Sequence, residues 1–386
     1  MAILSILSGF AAMILIIKIT KKIHFGILAA IFATAFISAN FPPLFQSFIY
    51  TFKYVKFYEI IVTIYGIYLI SDTMKVSGNS KIFSESIKNL FSARQAVALM
   101  PMALGLLPMP GGAMFTAPMI KEISDENGIK NIDSASMNYW FRHSMEFFWI
   151  LYPALIFESA LSGIKILTLL FIQLPIGIFS IVSAWIFFRT GKIKINHSKK
   201  DWKNLLISVL PIIFIMIGVI SSIPGWIVVL TVAFIYSLYY KNYKGILKIN
   251  KNVMILIFFV FWYKNLIEIS GLSDSFVGEM QNAGMSPWII IVLSPLIIGM
   301  ITGITQAAFA VTMPIAMSFV NIPVDVTAIT VYYFSVIGVL LSPVHLCLVL
   351  TSEYFGVKIS SMLKKLTIPF LFSFLGYIIM SIVIRI

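Results

Sequence analysis

About ten apolar runs, most of roughly 17–25 residues and joined by short loops, leave this chain one medium in which to fold. A helix of that length crosses a hydrocarbon core of about 30 Å. Helices keep every backbone hydrogen bond inside the segment, as lipid demands. The runs fall at about 3–17, 24–40, 56–72, 138–160, 164–188, 204–221, 224–240, 253–271, 326–350 and 366–386. Only 11% of the 386 residues are charged, against about 25% in a soluble domain. The expected fold is an all-α polytopic membrane protein, and its first partner is the lipid bilayer.

The formal charge of +13 does not point to nucleic acid. Lys and Arg sit between the apolar runs rather than along one amphipathic face, which is how membrane orientation is encoded. The single cysteine, Cys347, allows no internal disulfide and no cysteine-based metal site. Before the first apolar run there is no basic residue, and Lys18, Lys21 and Lys22 follow it. A cleavable signal has the reverse order, so a retained first helix is expected.

Two further apolar stretches, 94–120 and 286–320, are interrupted near their middles by glycine, proline and hydroxyl residues. Each drawn as a re-entrant hairpin, entering and leaving on one side, they place 22 of the 28 Lys and Arg in cytoplasmic loops. Drawn as single crossings, the first would send the six-cation loop at 189–203 outward. The positive-inside bias therefore favours hairpins, ten transmembrane helices and an outside N-terminus in the cell membrane.

The halves of the chain resemble each other at an offset of about 193. Ser77, Gly78 and Ser80 match Ser270, Gly271 and Ser273, and Tyr139 and Phe141 match Tyr332 and Phe334. With a three-residue shift, Thr116 and Pro118 match Thr312 and Pro314. The loop before the first hairpin carries four cations, whereas its counterpart, about 272–285, carries Asp274 and Glu279 and none. The expected organisation is an inverted-topology repeat: 1–188 with hairpin 94–120, a basic linker at 189–203, and 204–386 with hairpin 286–320.

Irregular backbone is costly in lipid unless it lines a cavity, so paired interruptions are the natural place for a transported solute. In the first, Pro110 breaks the helix, and Gly111 and Gly112 let backbone approach a ligand, with Thr116 beyond them. A helix restarting there aims free amides at the cavity, which suits an anion. The second offers Thr302, Gly303, Thr305 and Gln306, with Thr312 further on. The plainer alternative is that these glycines and prolines pack or kink helices.

Near 140 lies a charged group, Arg142, His143 and Glu146. Arg142 and Glu146 are four apart and share a helix face, and His143 also reaches Glu146. They read as a proton relay or counter-charge, or as a structural ion pair with Arg142 snorkelling to the headgroups. Lys264 and Glu268 repeat the spacing and read as a structural pair. His345, after Ser342 and Pro343, reads as a cavity-facing relay residue or as a packed histidine. No metal cluster, nucleotide loop or cofactor motif is evident.

The segments "LPMPGGAMFTAPMI", "YWFRHSMEFF" and "GVLLSPVHLCLVLTSEYF" resemble domain-of-unknown-function family 401. That family is grouped with the ion transporter superfamily of gluconate, citrate, dicarboxylate and arsenite permeases. The resemblance implies an inverted-repeat transporter with two re-entrant hairpins, and relatives that form homodimers. Dicarboxylate members carry Ser-Asn-Thr at the hairpin tips, where this chain has Pro110-Gly111-Gly112 and Thr305-Gln306-Ala307.

The function expected is a secondary transporter of a small anionic solute, coupled to H+ or Na+ and binding it at the midplane between the two hairpin tips. It would not be an enzyme. Two other classes stay open: a membrane enzyme using His143 and Glu146, and a non-transporting structural subunit of a membrane complex.

Overall fold

A computed structural model describes residues 1–386 except 21, 40, 107–111, 191–197, 222, 320 and 386. The described residues are helical throughout, with no strand. The chain opens with α1 (Ala2–Thr20), α2 (Ile23–Ile37), α3 (Pro42–Lys53), α4 (Val55–Val76), α5 (Asn79–Leu90) and α6 (Ala93–Gly105). It continues through α7 (Gly112–Glu126), α8 (Asn131–His143), α9 (Pro153–Ser162), α10 (Ile166–Phe187), α11 (Lys199–Ile220) and α12 (Gly225–Tyr239). Next come the single turn α13 (Tyr243–Ile246), α14 (Lys251–Ile269), α15 (Leu272–Asn282), α16 (Ser294–Thr302) and α17 (Thr305–Ala316). Last are α18 (Val324–Leu341), α19 (Leu346–Phe355), α20 (Ile359–Lys365) and α21 (Thr367–Arg385).

Among the described residues, six segments are long and apolar enough to cross a membrane: Ala2–Thr20, Val55–Val76, Ile166–Phe187, Lys199–Ile220, Tyr243–Ile269 and Val324–Phe355. The pair Ile359–Lys365 and Thr367–Val383, bent by 50°, makes a seventh. Large apolar side chains such as Leu15, Ile186 and Phe214 are exposed along these helices, as are Phe36 and Ile235 on the shorter apolar helices α2 and α12. A soluble protein rarely shows so much apolar surface, and lipid is the solvent that suits it. The molecule is a multi-pass, all-α membrane protein.

Two runs predicted as single spans are each two helices. The run 138–160 leaves α8 through a 3-10 turn at Ser144–Phe147, unwinds, and restarts as α9 at Pro153. The run 326–350 stops at Leu341 and restarts as α19 at Leu346. Apolar composition sets the length of a run but not the continuity of its helix. Several helices lie where loops were expected, among them α5 and α15 before the two interrupted stretches and α3, which Pro42 and Pro43 open at a position where a missing N–H costs nothing.

The described chain forms two compact units. The first comprises 1–61, 156–165 and 250–345. Small residues let its helices close on one another: a side chain at Gly9 would meet Thr34 Oγ1 at 2.3 Å, and one at Gly338 would meet the Leu296 carbonyl at 2.3 Å. Trp262 and Asn265 of α14 bind α3, donating to the Leu44 carbonyl at 3.1 Å and to Thr51 Oγ1 at 3.0 Å. Lys264 pairs with Glu268 at 2.6 Å and lies 5.0 Å from the Tyr54 ring, so this charge pair is part of the packing. At the centre sits α17, buried along its length.

The second unit comprises 62–155, 166–249 and 346–386. Here α10 packs on α21, α6 on α8, and α5 on α11. Asn242 ties the α12–α13 turn to α4 by donating to Asp72 at 3.1 Å and Thr73 at 3.0 Å.

Candidate functional site

The first unit contains a fully described helix break. After Thr302, Gly303 takes the left-handed conformation (φ 64°, ψ 20°), and its N–H closes the last turn on Gly299 at 2.8 Å. Ile304 is extended, and α17 starts at Thr305. Gly303 is required twice here. Positive φ disfavours any side chain, and a Cβ would lie 3.1 Å from His345 Cα and 3.2 Å from His345 N.

A helix that stops leaves carbonyls without partners. Two of them are taken by the second interruption of this unit, the stretch 342–345 between α18 and α19. Ser342 Oγ donates to the Met300 carbonyl at 2.6 Å, and His345 Nδ1 lies 2.9 Å from the Gly303 carbonyl. The two breaks therefore hold each other open. Beyond them, the α17 ladder begins with Ala308 N–H on Ile304 O at 3.3 Å. The amides of Thr305, Gln306 and Ala307 precede that ladder and lie at the positive end of the helix dipole. The Thr302 hydroxyl is spent on Ile304, accepting from its N–H at 3.3 Å and donating to its carbonyl at 3.4 Å; the amides, with the Thr305 hydroxyl beside them, are the donors suited to an anion.

Of the residues singled out in this half, Thr302, Gly303, Thr305, Gln306 and His345 come together. Thr312 lies two turns deeper, about 10 Å along the axis of α17. It is buried there, and its hydroxyl has no hydrogen-bond partner among the described residues.

In the second unit, Pro110 and Gly111 fall outside the described residues, and Gly112 opens α7. The end of α6 shows the same kind of carbonyl capture. Trp149 Nε1 donates to Leu106 O at 2.9 Å, and Arg142 Nη1 to Leu104 O at 3.3 Å. A Cβ at Gly105 would meet the Arg142 carbonyl at 2.5 Å. Arg142 is thus buried against α6 rather than extended toward headgroups. Thr116 donates to Asn138 Oδ1 at 2.5 Å, and Asn138 passes a bond of 3.4 Å to Thr351, linking α7, α8 and α19.

The charged group is reshaped by the 3-10 turn. The spacing of four presumed an α-helix, but the chain tightens at Ser144 and brings together the residues three apart. His143 Nδ1 lies 3.4 Å from Glu146 Oε2. The Tyr139 ring packs 4.9 Å from the imidazole, and the Cys347 thiol of α19 is within hydrogen-bonding reach.

Several contributors escaped sequence reasoning. Trp149 satisfies the broken end of α6, Asn138 joins three helices, and Glu158 is a completely buried carboxylate on α9. Glu158 carried a usable signal, since an acid inside an apolar run is expensive and seldom idle. Ser342, expected beside the cavity with His345, bonds the Met300 carbonyl.

A family model described as protein of unknown function (DUF401) matches residues 3–384, nearly the whole chain. No curated protein matches it.

Proposed function

The chain belongs to the DUF401 family, and from that premise we propose that it is an ion-coupled secondary transporter of a small anionic solute. The observation that carries the reading is the break at Thr302–Gln306. It places the first amides of α17, ahead of the helix ladder, beside the Thr305 hydroxyl, and its shape is held by Ser342 and His345. Broken helices with polar ends are how membrane transporters build solute sites without leaving backbone groups unsatisfied. The Pro110-Gly111-Gly112 stretch is assigned the same role in the other half by its sequence. Buried Glu146 and Glu158 favour protons over sodium as the coupling ion.

An inverted repeat of ten crossings and two hairpins, as in the ion transporter superfamily, is the architecture we infer. Helix starts support it: α8 and α18 begin at 131 and 324, α9 and α19 at 153 and 346, each pair 193 apart. So do left-handed glycines at the same interval, Gly78 with Gly271 and Gly163 with Gly356. Even the crossings correspond, Gly105 approaching the backbone of Arg142 and Gly299 that of Ser335. Loop charge supplies the inversion, since cations before the first hairpin are replaced by Asp274 and Glu279 before the second.

The test is flux in proteoliposomes containing only this protein. A panel of labelled organic and inorganic anions is presented with an imposed proton or sodium gradient. Gradient-driven uptake that Thr305→Ala abolishes, with yield and melting temperature unchanged, is the expected result. Absence of flux for every anion, or full uptake by the variant, would overturn the reading.

A further inference from the structure

The outer face of the second unit carries a groove of about 330 Å³ between α10 and α21. Its geometry follows from one glycine. Gly376 brings α21 against α10, where a Cβ would sit 3.0 Å from Ile176 Cα and 3.2 Å from the Pro175 carbonyl. Away from that contact the helices are held apart by Trp140 of α8, whose Nε1 donates to Ser180 O at 3.0 Å and whose ring packs edge-on against Phe370 at 4.8 Å. The space so made is lined by Ile178, Val182, Ile186, Phe187, Ile368 and Phe372. Ser183 also lines it, but its hydroxyl is spent on the Ser180 carbonyl at 3.1 Å.

One end of this apolar trough is basic. Lys365 Nζ lies 5.7 Å from the Phe187 ring and 2.8 Å from Asp133. Beside it Lys364 is exposed, and Arg189, two residues past Phe187, is exposed as well. Arg94 reaches the same end, donating to Phe188 O at 3.0 Å. Lys364, Lys365, Arg94 and Arg189 thus belong to the segments at this end, with Asp133 paired to Lys365. An occupant must therefore join a long apolar body to a negatively charged head.

We propose that this groove is a binding site for an anionic phospholipid, with an acyl chain between α10 and α21 and the headgroup phosphate on Lys364, Lys365 and Arg189. The apolar trough alone would accept any lipid tail, and the basic end supplies the selection. A phosphatidylcholine brings its own cation and forfeits most of that attraction, whereas phosphatidylglycerol does not.

Native mass spectrometry of the full-length, detergent-purified protein tests this, with phosphatidylglycerol or phosphatidylcholine added at equal concentration. Preferential retention of one phosphatidylglycerol is expected. Lys364→Ala, which leaves the Lys365–Asp133 pair intact, should weaken it by about five-fold, the contribution of one basic residue near an anionic surface. Ile186→Trp, at a position 70% exposed, fills the groove without touching the core and should abolish retention. Glycerol phosphate, a head without a tail, should not compete. Equal retention of the two lipids, retention undiminished in Ile186→Trp, or competition by glycerol phosphate would each overturn the proposal.

Discussion

Replacing Gly303 by alanine tests the helix break at its tightest point. The methyl group carries two separable costs. A left-handed backbone costs an L-residue about 1–2 kcal/mol, and φ here is 64°. The new Cβ would also stand 3.1 Å from His345 Cα and 3.2 Å from His345 N. Both are backbone atoms that cannot rotate away, so residues 344–345 must shift by a few tenths of an ångström. That shift strains the 2.9 Å contact between His345 Nδ1 and the Gly303 carbonyl, a bond worth about 0.5–1.5 kcal/mol. Together the loss is about 1.5–3.5 kcal/mol. Gly356 provides the control, because its φ is 63° but a Cβ there would meet nothing within 4 Å. Gly356→Ala should cost only the first amount, about 1–2 kcal/mol. Denaturant unfolding of both variants in one detergent reads the difference, and anion uptake reads its consequence. Equal destabilisation by the two substitutions, or uptake unchanged in Gly303→Ala, would refute the claim that His345 props the break open.

Gly338→Ala should destabilise the α16–α18 crossing by about 1–3 kcal/mol as an overpacking change, because its Cβ would meet the Leu296 carbonyl at 2.3 Å; thermal unfolding measures it. Glu279 accepts from the N-terminal amine and from the amides of Ile3 and Ala2, which hold its carboxyl down to about 2. Its contribution is therefore fully present above the unfolded value near 4.5 and lost only as pH falls through about 2. Hydrogen exchange at Ala2 and Ile3 should be equally protected from pH 5 to pH 8 once corrected for intrinsic rates, and unprotected in Glu279→Gln. In a Cys347→Ser background, Ser92→Cys and Asn127→Cys should label from one aqueous compartment, and Gln281→Cys and Asn321→Cys from the other. Labelling of either pair from opposite compartments would dismantle the hairpin reading.

Much of the fold was legible because lipid simplifies the code. Apolar length announced the long helices, and the clustered glycine, proline and threonine near 303 announced a break. The left-handed turns at Gly78 and Gly271 were found as a matched pair of letters before they were seen as geometry. The breaks after Phe147 and Leu341 were hidden for a physical reason. What occupies each break is a long-range bond that neighbouring letters do not show: Trp149 and Ser342, inside the breaks, donate to the Leu106 and Met300 carbonyls at the ends of α6 and α16. Within the Arg142–His143–Glu146 group, the spacing of three between His143 and Glu146 gives the observed contact of 3.4 Å, across a 3-10 turn that the letters do not announce. Glu158 stood in plain view inside an apolar run.

The burial of α17 restricts how the break at its N-terminus could be opened, and with it the exit of any solute carried as proposed. Ten consecutive side chains from Ala307 to Ala316 have essentially no solvent access, so this helix cannot swing outward like a hinged gate without tearing its own packing apart. Whatever displacement opens the route must carry α14, α16 and α18 along with α17 as a single block, and the slack has to be found in the connections rather than in the core.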